Sequence, residues 1–203
     1  MIRNLGQRFA RLVTNLVVRW PATWRLFRGV MRVQFDKLAP VWDRGRDPSA
    51  FAGLEQALAS IDGQIETALD VGTGTGEAAL AVLRRWPGAR VLGIDLSAPM
   101  VEEARRKAPV DASVEFRIGD AAKVDMPDAS FDLVTAANMI PFFDELARVI
   151  APRGYLVVSF SVGAETPIYV PSPRLRSELE RRGFADFAEF SSGRSTAFLA
   201  RKR

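Results

Sequence analysis

From residue 49 to the end of the chain, short apolar runs alternate with stretches whose apolar residues recur every three or four positions. Five runs read as strands: 66–71 (ETALDV), 90–95 (RVLGID), 113–118 (SVEFRI), 131–136 (FDLVTA) and 154–160 (GYLVVSF). Helical periodicity fills the intervals at about 50–61, 76–86, 97–108 and 142–150. Past Pro171 a further helix, about 173–182, leads to two more strand-like runs, 184–191 and 195–202, joined at Ser192-Gly193. Such alternation predicts an α/β fold: a seven-stranded, mostly parallel sheet with helices on both faces and a closing hairpin that leaves an antiparallel strand at the sheet edge.

The first 48 residues follow a different rhythm. Ile2, Leu5, Phe9, Leu12 and Leu16 recur at helical spacing, and after a break at Trp20-Pro21 the pattern resumes with Trp24, Phe27, Met31 and Phe35. Two amphipathic helices are predicted, forming an arm over residues 1–48 ahead of a main domain at 49–203. Charge sharpens the division. Residues 1–35 hold seven arginines and no Asp or Glu, so the arm is strongly cationic while the chain as a whole is only +4. Three readings stay open: the apolar stripes pack on the acidic body with the arginines in water, the arm meets an anionic membrane surface, or it meets RNA. Arg8, Arg11 and Arg19 interrupt the apolar core that a secretory signal needs, and no run approaches the ~18–20 apolar residues of a membrane span. The expected location is cytoplasmic, with peripheral contact at the inner membrane face as the variant the arm permits.

With 48% hydrophobic and 26% charged residues, a chain of 203 can bury one sizeable core. Neither Cys nor His occurs. Their absence excludes disulfides, thiolate metal sites, zinc catalysis and Ser-His or Cys-His nucleophiles, and no metal centre is expected. Chemistry here must run on carboxylates, Tyr, Lys, backbone groups or a bound cofactor.

The strongest local signal is ALDVGTGTGEAAL, residues 68–80. A strand ending at Asp70 runs into Gly72, Thr73, Gly74 and Gly76 and then into a helix, which places free backbone N–H groups and a positive helix end at the carboxyl edge of the sheet. A dinucleotide fingerprint requires a third glycine at position 77, which is Glu. A carboxylate in the first helical turn repels a pyrophosphate but tolerates an ammonium or sulfonium. The spacing therefore fits a cationic nucleoside better than NAD.

Together with GIDLSAPMVEEA (93–104), RIGDAAKV (117–124), FDLVTAANMIPFF (131–143) and ELARVIAPRGYLVVSF (145–160), that stretch resembles the ordered motif set of the class I S-adenosylmethionine-dependent methyltransferases, over roughly residues 65–160. The resemblance implies a Rossmann-like domain that binds S-adenosyl-L-methionine. It places Gly72, Thr73, Gly74 and Gly76 around the methionine half and Asp70 at the cofactor's ammonium. Asp95 would take both ribose hydroxyls, Leu96 and Met100 the adenine faces, and Asp120 with the backbone of Ala121 the adenine edge. Asn138 would lie nearest the transferable methyl.

QFDKLAPVWD, residues 34–43, is similar to the lid segment of ubiquinone- and menaquinone-type methyltransferases, with Phe35 and Trp42 standing where that pattern has tyrosines. Acceptor-site candidates are Phe35, Trp42, Phe142, Phe143 and Tyr169, and the segment 161–179 either builds the acceptor site or is an ordinary long connection. No catalytic residue is assigned; Asp36, Asp43 and Tyr169 are the candidate bases should the acceptor lose a proton. The expected function is direct, in-line methyl transfer to a small, lipophilic acceptor. The alternatives are a membrane-docked enzyme acting on a lipid head group or quinone, and a cofactor-binding partner protein without turnover. NMIPFF at 138–143 lacks the Pro-Pro-aromatic signature of exocyclic-amine methylation, so nucleic acid is not the expected acceptor. Oligomeric state is left open.

Overall fold

The computed structural model describes residues 2–203, with side-chain surroundings from Gly6 onward. Seven strands, β1 (Thr67–Val71), β2 (Arg90–Asp95), β3 (Val114–Ile118), β4 (Phe131–Ala137), β5 (Ile150–Phe160), β6 (Phe184–Ser192) and β7 (Ser195–Lys202), form one sheet in the order β3-β2-β1-β4-β5-β7-β6. The first five are mutually parallel. The closing hairpin makes the edge, with β7 antiparallel to both β5 and the outermost β6.

Alternation along the strands sends side chains into two cores. On one face Leu69, Val134, Leu156 and Val158 meet α6 (Phe143–Val149), α7 (Ser172–Glu180) and Val13 and Val17 of α1 (Ile2–Arg19). On the other face Ala68, Leu133, Val157 and Leu199 meet α3 (Ala52–Ala59), α4 (Glu77–Arg85) and α5 (Ala98–Lys107). Burial on both faces is why these strands read as near-continuous apolar runs.

Element boundaries depart from the sequence reading at two places. The helix expected from residue 50 starts at Ala52, because Pro48–Phe51 forms a 3-10 turn capped by Asp47, whose carboxylate accepts the Ser49 N–H at 2.9 Å. Strand β5 starts at Ile150 rather than 154. Pro152 and Gly154 read as breakers, but a register shift opposite Phe131–Leu133 absorbs them, with Arg153 at φ 65°.

The arm forms α1 and α2 (Trp24–Leu38), broken by a 3-10 turn at Pro21–Thr23. The side chains of Ile2 and Leu5 lie outside the described residues. Of the expected stripe, Phe9 packs edge-on against Phe27 at 6.2 Å, but Leu12 is 56% exposed. The buried face is instead Ala10, Val13, Thr14 and Val17. Arg11 explains the rotation: its guanidinium donates to the carbonyls of Ala164 and Thr166 at 2.9 and 2.8 Å, turning the 10/13/17 face inward. The packing face of α1 is therefore Ala10, Val13, Thr14 and Val17 rather than the expected stripe. Val17→Ala is expected to lower stability by ~2 kcal/mol through lost burial and a cavity, whereas Leu12→Ala should stay within ~0.5 kcal/mol; urea midpoints of the two variants check which face is packed.

Candidate functional site

Strand order reverses at β1, which is flanked by β2 on one side and β4 on the other, and a cleft opens at the carboxyl ends of such strands. A largely apolar cavity lies there, lined by Gly72–Thr75 after β1, Asp95 and Leu96 after β2, Gly119–Ala121 after β3 and Asn138–Ile140 after β4. Helix α2 and the segment behind it roof the cavity with Trp24, Met31, Phe35 and Trp42.

A buried carboxylate shapes the floor. Asp70 is 1% exposed and accepts hydrogen bonds from Thr73 Oγ1 at 2.6 Å, Thr135 Oγ1 at 2.7 Å and the Ala79 N–H at 3.2 Å. Desolvation is the dominant influence on it and raises its pKa to about 6 despite these donors. Asp70 does not line the cavity; its bonds tie β1, β4, the glycine turn and α4 together. Gly72, at φ 63°, lines the cavity, and a Cβ there would sit 3.0 Å from Met139 Cβ. Gly76 does not line it; at φ 88° it starts α4 against Phe116, so its role is also structural.

Asp95, the last residue of β2, lines the cavity. Its Oδ2 accepts the Gly74 N–H and its Oδ1 the Ser97 N–H, both at 2.9 Å. Burial raises its pKa, opposed by those backbone donors and reinforced by the nearby charge of Asp36. Met100 and Leu96 complete this wall. Asp120 and Ala121 line the next one, with Asp120 accepting the Ala122 N–H at 2.9 Å. Asn138 takes φ 51°, a conformation Asn tolerates, and its Oδ1 accepts from Ser161 N and Oγ at 2.9 and 3.0 Å, which leaves its NH₂ donors for the cavity.

The lid is fastened at its C-terminal end. Asp43 bonds Thr75 Oγ1 at 2.9 Å, Arg46 at 2.6 Å and Lys107, which also reaches Glu77 at 2.8 Å. Burial pushes the Asp43 carboxyl up, but the bonds from Lys107 and Thr75 and the charge of Arg46 outweigh it and hold the group below its ordinary value. Glu77 lines the cavity, with its charge offset by Lys107. None of the three candidate bases lines the cavity: Asp43 is held in this ion pair, Tyr169 packs on Phe160 at 5.0 Å, and Asp36 has one buried carboxylate oxygen without a partner. Among acceptor candidates Phe35, Trp42 and Phe142 face the cavity; Phe143 belongs to the α6 core and Tyr169 stands behind Ile168, which lines the cavity in its place.

Sequence reasoning missed Trp24, Met31, Met139, Ile140 and Ile168. Trp24 and Met31 share the helical stripe that carries Phe35, a signal that could have placed them; Ile168 had none. Among the described residues no cluster of acidic side chains could hold a metal ion.

A family model described as a methyltransferase domain matches residues 68–154. The chain is 40% identical over 137 residues to a demethylmenaquinone methyltransferase of Thermus thermophilus, covering 61% of this chain and 62% of that protein. It is 36% identical over 98 residues to a malonyl-[acyl-carrier protein] O-methyltransferase of Xylella fastidiosa, covering 45% and 33%. It thus spans less than two thirds of these relatives. The structure of an S-adenosylmethionine-dependent methyltransferase from Aquifex aeolicus superposes with a TM-score of 0.63 at 22% identity, over 85% of this chain and 98% of that one.

The buried carboxylate makes a pH prediction. Because the folded pKa of Asp70 is raised from 3.8 to about 6, the fold holds its proton more tightly than the unfolded chain does. Its contribution to stability is therefore full below about 3.8 and declines as pH rises through about 6, by ~3 kcal/mol in all. Asp70→Asn should flatten this decline, read as a difference in urea midpoints between variant and wild type that changes from pH 4 to pH 7.

Proposed function

We propose that this chain, whose residues 68–154 form a class I S-adenosylmethionine-dependent methyltransferase domain, moves a methyl group from S-adenosylmethionine to a small lipophilic acceptor of the quinone kind. The carrying observation is Asp95. Each of its oxygens takes one backbone N–H, and its remaining lone pairs suit the two hydroxyls of a ribose. Gly72 and Gly74 support the fit, since both line the cavity at positive φ and let the backbone approach a ligand closely. When bound, S-adenosylmethionine supplies a methyl already activated on a sulfonium.

The residues of the chain then have to orient the acceptor and exclude water. Orientation alone contributes ~7–11 kcal/mol to lowering such a barrier. Phe35 and Trp42, edge to face at 5.7 Å, close the lid side, while Phe142, Met139, Ile140 and Ile168 present an apolar surface. Since none of the candidate bases lines the cavity, the acceptor is one that reacts as an enolate or phenolate formed with little help. The name of the demethylmenaquinone methyltransferase relative agrees with this class, and the arm with its lid, residues 1–48, is the part that admits the acceptor.

A second reading concerns where the acceptor is met. With the Ala10/Val13/Val17 face of α1 turned inward, an exposed apolar face of the arm lies on α2, where Leu26 (75% exposed), Val30 and Val33 follow at helical spacing on the side away from the cavity, in an arm rich in arginine. That face suits an anionic membrane surface, which it would touch at the periphery, on the inner face of a cell membrane. No helix among the described residues is long and apolar enough to cross a membrane.

Thermal shifts should appear with S-adenosylmethionine and S-adenosylhomocysteine and not with NAD. Asp95→Ala, which removes an acceptor of charge-assisted bonds worth ~1.5–3 kcal/mol each, should weaken S-adenosylhomocysteine binding at least tenfold by calorimetry; unchanged binding refutes the ribose assignment. For the membrane reading, at ~1 kcal/mol per basic residue near an anionic leaflet, the full chain should sediment with anionic liposomes at low salt and leave them at high salt. A Leu26→Ser, Val30→Ser, Val33→Ser variant should lose that sedimentation while binding S-adenosylhomocysteine normally.

A further inference from the structure

The cavity at the strand ends has a volume of about 120 Å³, smaller than the ~300–1,000 Å³ of sites that bury a small-molecule ligand. A nucleoside carrying an amino-acid tail therefore needs part of the lining to move. The strand-end walls are poor candidates, because Asp95 and the glycine turn are bonded into the sheet and Asp120 is held by the Ala122 N–H. The roof is different. Helix α2 leans on the site chiefly through Trp24, whose indole Nε1–H donates to both oxygens of Asp120 at 2.9 and 3.1 Å and whose ring meets Phe142 edge to face at 5.4 Å. Arg28, one turn further along, adds a weaker contact to the same carboxylate at 3.8 Å.

We propose that Trp24 is a latch that the cofactor's purine displaces. On the reading of Asp120 as the adenine-facing carboxylate, on which this rests, the indole N–H and the exocyclic amine of adenine are rival donors for one acceptor, which keeps the Ala122 N–H in either state. Exchange of one N–H for the other keeps Asp120 satisfied throughout. It also frees the N-terminal end of α2, which has the 3-10 turn at Pro21–Thr23 as its near joint, while the Asp43 fastening to Thr75 and Lys107 keeps the other end down. Cofactor occupancy thereby sets the position of the helix that bears the aromatic wall, so the acceptor side is shaped after the cofactor has bound. Trp24 is a positioning residue in this scheme and touches no reacting atom.

Two measurements on the full chain test it, with S-adenosylhomocysteine as the probe. Trp24→Phe retains the ring against Phe142 and removes the rival donor, so the probe should bind at least threefold more tightly by calorimetry. In the ¹⁵N-labelled wild type, the Trp24 indole resonance, assigned by its loss in that variant or by Trp20→Phe, Trp42→Phe and Trp86→Phe, should move toward a solvent-like shift as the probe is added. Probe binding that is unchanged or weaker in Trp24→Phe, or an indole resonance that stays in place at saturation, overturns the latch while leaving the cofactor assignment standing. Absence of probe binding in both proteins overturns the cofactor assignment and the latch with it.

Discussion

A single dehydrated carboxylate holds the site in shape. Asp70 draws Thr73, Thr135 and the Ala79 N–H onto one point, joining two central strands to the turn and helix that follow. Once that turn is set, the Gly74 N–H is aimed at Asp95, and Asp95 in turn receives the Ser97 N–H at the start of α5. The Ser97 side chain then accepts from Met100 N at 3.4 Å and caps the helix that supplies an apolar wall. Each bond presupposes the one before it. Burying such a group opposes ionisation, and the fold accepts that cost in exchange for a turn that cannot drift.

The roof is held by contacts of another kind. Its C-terminal end is tied by Asp43 to Lys107 of α5 and to Thr75 ahead of α4, its aromatic residues meet edge to face, and its N-terminal end rests on the Trp24 indole bond, the Phe142 and Phe9 rings and the weaker Arg28 contact. Ion pairs at a partly exposed rim are individually weak, so the fastening depends on Asp43 meeting three donors at once. A roof of graded strength over a rigid floor is what a site needs when its ligand is larger than its resting cavity.

The two helices of the arm divide their labour. Helix α1 is a structural cover, its short side chains fitted into the α6–α7 core and its Arg11 spent on backbone carbonyls. Helix α2 has one face over the cavity and the opposite face in water, with apolar side chains that the body does not bury. Isolated exposed apolar residues are ordinary; three at helical spacing form a surface with a direction.

Sequence by itself determined the seven strands, the helices between them and about half of the cavity wall. Gly72, Thr73, Gly74, Asp95, Leu96, Met100, Asp120, Ala121, Asn138, Phe35, Trp42 and Phe142 all meet at the cavity. These were legible because turn glycines, strand ends and helical stripes act over a few residues and leave a local pattern. Only the tertiary structure decided which way several side chains turn. Asp70 and Asp95 both lie at or next to the carboxyl end of a strand, yet one points into the core, where Thr135, 65 residues away, bonds it. The rotation of α1 hangs on a bond between residues 155 apart, and the placement of Trp24 on one between residues 96 apart. Periodicity says that a helix has an apolar side; which residues of that side are buried is settled by partners that fold against it from far along the chain.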